Sequence, residues 1–275
     1  MHRKKRDVAV VDIPNAFVQT VVSEEDAEHH VVVCIRGPLV DILVSIVPGV
    51  YGPYVSTTKT GQKVLIVECL NAVYGTMVAA LLYYKKFVKS LKSNGFKLNP
   101  YDPCVANKIV EGKQITVCFH VDDCKLSHEH PKVIDETVDW LRAEYKSIFE
   151  DGLGAMKVHR GKVHKYLGMG LDFSHKGKCI VTMHDYLDGI LKAFDAAMEK
   201  HEHGFLPVTR QRYETPAPDN LFIVNEDCEK LPDEMAADFH TIIAKTLYVT
   251  KRARPDTCLS IAFLTMRVRA PDRDD

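Results

Sequence analysis

The sequence predicts a mixed α+β chain, and three features carry that expectation. Short β-branched runs, beginning with residues 8–13 (VAVVDI), suit buried strands. Residues 115–120 and 124–127 flank Val121-Asp122-Asp123, which reads as a β-hairpin with its carboxylates at the tip. Between these lie stretches of helical period. Composition agrees: 46% hydrophobic and 27% charged residues is ordinary for a globular protein, and 275 residues is about two domains' worth of chain.

Along the chain, residues 21–30 read as an acidic loop. Residues 31–34 and 63–69 read as strands separated by a Pro/Gly/Tyr-rich connection. A helix follows in which Ala80, Tyr84, Phe87 and Leu91 are spaced to face the core. Lys85, Lys89 and Lys92 form an adjoining basic stripe, either a solvated face or a track for a phosphate backbone. Asn94-Gly95 stops that helix. Pro131 opens another, with Ile134, Val138, Leu141, Tyr145 and Ile148 in register through Phe149. Residues 151–164 read as a Gly-rich basic loop with neither familiar phosphate-cradle motif. A second hairpin is expected from residues 166–173 and 179–183, then a helix from Asp185 to about Met198. The polar stretch 200–236 reads as a linker. A last helix over about 237–249 leads through the basic elbow Lys251, Arg252 and Arg254 into an apolar segment.

The charges, 36 Lys+Arg against 37 Asp+Glu, give a net charge of -1, so an anionic partner would have to meet a local patch. The longest uncharged apolar-rich run, residues 69–84, falls short of the roughly 20 residues a membrane helix needs. No signal peptide is read at the N-terminus, which points to the cytosol or nucleus. The 8 cysteines stand singly, as expected of reduced thiols rather than disulfides or a zinc ribbon. The pairs His128/His130 and His201/His203 read as surface histidines rather than a metal site.

Three aspartates close predicted strands: Asp12, Asp122 and Asp123. Crowded carboxylates repel unless a cation neutralises them, so an apolar-flanked Asp-Asp suggests a divalent metal, against the plainer reading of a polar turn. The segments DVAVVDIPNAFVQT, LNAVYG, CFHVDDCKLS, KYLGMGLDF and AKTLYVTKRARPDTCLSIAFLTMRV come in one order. That order resembles the polymerase motifs of reverse transcriptases, and more narrowly those of copia-type (pseudoviral) retrotransposons.

The resemblance implies a right-hand polymerase: a palm over 1–183 and a helical thumb/connection region over 184–275, with the fingers largely missing. The RNase H and integrase portions are absent from the likeness. It implies RNA-directed DNA polymerisation on an RNA or DNA template with primer, using dNTPs and two Mg2+ (or Mn2+) ions. Asp12, Asp122 and Asp123 match the metal-binding catalytic aspartates. Phe17 matches the aromatic gate under the sugar, beside the plainer reading of a core ring. Tyr74 and Gly75 match the nucleotide-facing motif, and Leu167, Gly168, Met169 and Gly170 match the primer grip. Lys157 and Lys162 are alternative proton donors to pyrophosphate. His120 stands where the family usually has Tyr, and TMVAALLYYKK replaces its usual polar stretch after Tyr74-Gly75. A cytoplasmic virus-like particle or the nucleus is the implied location, and oligomeric state is left open. The rival readings are a non-catalytic nucleic-acid-binding remnant, using Lys85, Lys89, Lys92, Lys251, Arg252 and Arg254, and a metal-dependent phosphohydrolase on the same carboxylates.

Overall fold

A computed structural model describes residues 6–22, 31–146, 154–201, 215–217 and 219–275. The chain divides into two compact units, 1–161 and 162–275. Both combine strands and helices, as the sequence pattern requires. Ile148, Phe149, His203, most of the acidic loop and much of the 200–236 linker lie outside the described residues.

The first unit is built on a six-stranded sheet. Its strands are β1 (Asp7–Asp12), β5 (Lys97–Leu98), β6 (Val105–Val110), β7 (Lys113–His120), β8 (Asp123–His128) and β9 (Lys157–Arg160), in the order β5-β6-β7-β8-β1-β9. Every pairing is antiparallel. Strand alternation places Ala9, Val11, Ile115, Val117, Phe119, Cys124 and Leu126 in one core. Helices α3 (Met77–Ser93) and α4 (Pro131–Glu144) supply the other half, through Tyr83, Phe87, Leu91, Ile134, Val138 and Leu141. On β1 the alternate residues Val8 and Val10 are buried as well, so this strand is apolar on both sides. Arg160 on β9 pairs with Asp7 at 2.6 Å and with Asp135 of α4 at 3.3 Å, which ties the sheet edge to its neighbours.

Four expectations need correction here. The buried stripe of α3 is Ala79, Leu82, Tyr83, Phe87, Val88 and Leu91, so Ala80 is exposed and Tyr84 only partly covered. Residues 151–164 are not all loop, because Lys-Val-His-Arg alternates as a strand and β9 pairs with β1. The connection after β2 (Val31–Arg36) is helical: α1 (Pro38–Ile46) and α2 (Pro48–Tyr51) each begin with proline at a first-turn position, where its missing N–H costs nothing. They precede β3 (Val55–Thr57) and β4 (Lys63–Cys69), which complete a sheet ordered β2-β4-β3. His128 is fully buried rather than superficial, because it follows Cys124 and Leu126 on the inward face of β8. The end of α3 is as expected: Gly95 has φ 85°, Phe96 N–H donates to Leu91 O and Gly95 N–H to Lys92 O.

Tyr83 lies almost wholly inside this core, and its hydroxyl has no hydrogen-bond partner among the described residues. Burial drives its pKa far up, so it stays a neutral, unsatisfied donor. Tyr83→Phe should therefore stabilise the chain by about 1 kcal/mol, read as a higher urea midpoint with an unchanged slope.

In the second unit β10 (Val163–Tyr166), β11 (Met169–Asp172) and β12 (Ile180–Thr182) form a sheet of their own. The expected strand 166–173 is broken at Leu167-Gly168, whose φ values of 50° and 73° make a tight turn of the kind that joins twisted strands. Helices α5 (His184–Lys200), α6 (Asp233–Thr250) and α7 (Cys258–Arg267) complete the unit. No described helix is long and apolar enough to cross a membrane.

Candidate carboxylate site

β1 ends on Asp12, which pairs across the ladder with Asp123, the first residue of β8. β7 ends on His120, which also pairs with Asp123, so Val121 and Asp122 alone make the turn. Val121 has φ 55°, a left-handed value that is unfavourable for a β-branched residue. The turn is held in place by Ile13, whose N–H donates to Asp122 O at 3.0 Å. Strand register thus brings one carboxylate from β1 and two from the hairpin to the same end of the sheet.

Their electrostatics agree. Burial raises the Asp123 carboxyl above its usual range, and the charges of Asp122 and Asp12 raise it further while His120 opposes them. Tyr74 is also raised, first by burial and then by Asp122 and Asp12, with the Phe17 backbone amide acting the other way. Directly beneath the turn, Cys124 is fully buried, and burial followed by the charges of Asp123 and Asp122 keeps its thiol protonated. Lys157 faces Asp12 across the β1–β9 ladder, with Nζ 3.9 Å from the carboxylate. Sequence reasoning singled out Lys157 only as one of two proton donors, and its pairing with Asp12 needed the register of a strand that had been read as loop. Lys162 belongs to the second unit.

Phe17 and Tyr74 stand beside this site. The segment after β1 is strapped to residues 70–72: Ala72 N–H donates to Thr20 O at 2.8 Å, Val22 N–H to Leu70 O at 2.9 Å, and Asn71 Nδ2 to Val18 O at 2.5 Å. The Phe17 ring then lies 4.7 Å from Tyr74 and 6.0 Å from Tyr83, centroid to centroid. It is partly buried, touching the main core and the small cluster of Ala72, Ala79 and Leu82. Gly75, with φ 87°, takes a backbone shape that few other residues would accept.

Several of the other residues singled out by sequence are already engaged within their own unit. Leu167, Gly168, Met169 and Gly170 occupy the β10–β11 turn of the second unit, where Leu167 O accepts a hydrogen bond from the Tyr248 hydroxyl at 2.7 Å. Lys85, Lys89 and Lys92 are exposed along α3. Arg252 covers the Tyr248 ring at 3.6 Å, and Arg254 makes three hydrogen bonds to Asp256 of 2.7–3.1 Å. The basic elbow is therefore partly neutralised from within, which weakens it as an anion surface.

Three oxygen-donor carboxylates on neighbouring strand ends, with Asp123 raised first by burial and then by the charges of the other two, are chemically suited to a hard divalent cation. Geometrically they stop short: among the described residues no three His, Cys, Asp or Glu side chains form a ready metal-holding group. A cation would have to draw the carboxylates inward, away from the Lys157 contact.

No family model matches the chain. Over 204 residues it is 23% identical to the "Putative transposon Ty5-1 protein" of Saccharomyces cerevisiae, an alignment that covers 74% of this chain and 59% of that protein. The chain thus spans little more than half the length of this relative. It is distantly similar to a putative transposon protein.

Proposed function

We propose that the chain is the polymerase core of a copia-type retrotransposon reverse transcriptase, with its palm over 1–183 and thumb/connection region over 184–275. The observation that carries this reading is the register Asp12↔Asp123 beside a two-residue turn holding Asp122. Antiparallel pairing of two strands distant in sequence gathers three carboxylates at one edge, as nucleotidyl transfer with two Mg2+ or Mn2+ ions requires. Asp12, Asp122 and Asp123 would hold the ions, which when bound would supply charge neutralisation at the attacking hydroxyl and at the leaving pyrophosphate. Around them, Phe17 and Tyr74 would present a flat aromatic wall to the sugar of a dNTP. Lys157 is the better placed of the two lysines to meet an anionic group near Asp12. Leu167 to Gly170 would grip the primer strand, and the template with primer would follow the Lys85/Lys89/Lys92 face. The proposed setting is a cytoplasmic virus-like particle or the nucleus.

One observation favours the rival reading of a non-catalytic nucleic-acid-binding remnant: the carboxylates are gathered but not formed into a cage. Calorimetric titration with Mn2+ separates the two. The polymerase reading expects saturable binding that weakens by about tenfold or more in Asp12→Asn and in Asp122→Asn, since each loses one hard ligand. Equal Mn2+ affinity in both variants and the parent chain would overturn it.

A further inference from the structure

Lys86 on α3 is half-buried, whereas Lys85, Lys89 and Lys92 of the same helix are exposed. Its ammonium lies 5.4 Å from the centre of the Tyr145 ring and donates to the backbone oxygen of Gln19 at 2.5 Å. Burial lowers its pKa, and the Glu144 carboxylate acts the other way. The net lowering means that a charge-assisted bond and an aromatic face do not fully offset the water this ammonium has lost. A lysine on the water side of the helix would avoid that cost, so the inward placement is explained by what Lys86 holds.

It holds the run of turns after β1. There Gln19 N–H donates to Asn15 O at 3.0 Å, Thr20 N–H to Phe17 O at 2.8 Å, and Gln19 Nε2 to Pro14 O at 2.7 Å. These bonds make residues 14–20 one stiff loop, but all lie within it and leave its tilt against the rest of the unit free. Three consecutive carbonyls fix the tilt: Val18 O accepts from Asn71 Nδ2, Gln19 O from Lys86 Nζ, and Thr20 O from the Ala72 N–H. Two of these anchors come from adjacent residues, so alone they act as a hinge. The third comes from α3 and stops the hinge from turning. The same helix floors the Phe17 ring through Ala79, Leu82 and Tyr83. Apolar packing thus sets the depth of the ring, and Lys86 sets its tilt.

We infer that Lys86 is a positioning residue: it fixes Phe17 against Tyr74 and so decides how closely that aromatic wall approaches the sugar of a nucleotide. The hold on the turn stands on the bonds themselves; that a sugar is what the wall meets rests on the polymerase reading.

The test compares the full chain with Lys86→Met, which keeps the apolar stem and removes the donor. Amide hydrogen exchange at Val22 and Ala72, whose N–H groups tie the loop to residues 70–72, should quicken by about tenfold while Leu126 in the large sheet is unchanged. Magnetisation transfer between the Phe17 and Tyr74 rings should weaken. On poly(rA) primed with oligo(dT), the ratio of rUTP to dTTP incorporation should rise by about tenfold. Lys86→Arg, a cation that still donates, should recover most of all three, and Lys132→Met, at the exposed start of α4, should alter none. Lys86→Gln, whose donor is one atom shorter in reach, gives the same reading should the methionine variant fail to fold. Faster exchange in a family of variants whose parent does not extend a primer would support the hold on the turn and sink the polymerase reading alone. Unchanged exchange at Val22 and Ala72, or faster exchange with an unchanged sugar ratio in an active chain, would overturn the inference.

Discussion

Asp123→Asn should make the metal-free chain more stable at neutral pH while removing the Mg2+-dependent chemistry proposed for it. The Asp123 carboxyl is raised by burial first, then by Asp122 and Asp12. A raised carboxyl means that the folded chain binds this proton more readily than the unfolded chain. Its stabilising contribution is therefore complete below the ordinary value of 3.8 and is lost as pH rises through the elevated folded value. At neutral pH the ionised group opposes folding, and asparagine relieves it with nearly the same shape. Thermal midpoints of parent and variant should coincide below about pH 3.8 and separate, variant higher, as pH rises above it. Mg2+ should then raise the parent's midpoint more than the variant's, because a bound cation favours the folded state that holds it. On poly(rA) primed with oligo(dT), extension should fall by at least about a hundredfold, which corresponds to a loss of roughly 3 kcal/mol of transition-state stabilisation. A variant that is less stable at neutral pH without metal, or that extends as the parent does, would break the assignment of Asp123 as a crowded metal ligand.

Why parts of this arrangement were legible in the sequence, and parts not, follows from the range over which each is determined. The β7–β8 hairpin is local: two alternating runs on either side of an acidic turn specify their own pairing, and they pair as expected. Asp12 was readable as a strand end, but its partner comes from a strand more than a hundred residues away, and no periodicity within β1 encodes that register. The α3 stripe was right at Phe87 and Leu91 but displaced by one residue in its first half, because LLYYKK sets apolar residues side by side. Registers through Ala80 and Tyr84 or through Ala79 and Tyr83 then fit equally well until a sheet chooses between them. β9 was hidden by its charge, which reflects an edge strand whose Lys157 and Arg160 meet Asp12 and Asp7. The depth of His128 could have been found. It continues the inward series Cys124, Leu126, and its Nδ1 accepts the His130 N–H at 3.0 Å, a local bond that needs no surface. Lys86 carried no sequence signal at all, since its role depends on Gln19 and Tyr145 arriving beside it.

Phe87→Ala should be the most destabilising single truncation in the first unit, and it also tests the corrected stripe of α3. The Phe87 ring is fully buried. It meets Phe119 edge-on at 4.9 Å, Tyr83 in a stack at 5.7 Å and Tyr145 at 5.8 Å. Three rings from α3, β7 and the end of α4 converge on it, so no single neighbour can collapse to fill the space. The expected cost is about 3–5 kcal/mol, a large share of the roughly 5–15 kcal/mol that usually holds a domain together. Phe119 lies one residue before His120, so the cavity opens directly under the strand that delivers Asp122 and Asp123. Mn2+ affinity should therefore fall in the fraction still folded, although Phe87 touches no carboxylate. Phe87→Leu, which keeps most of the volume, should lose far less of both. Tyr83→Ala should likewise cost more than Tyr84→Ala, reversing the order that the sequence spacing implied. A Phe87→Ala chain within about 1 kcal/mol of the parent by urea titration would mean that α3 does not floor the sheet beneath the carboxylate turn.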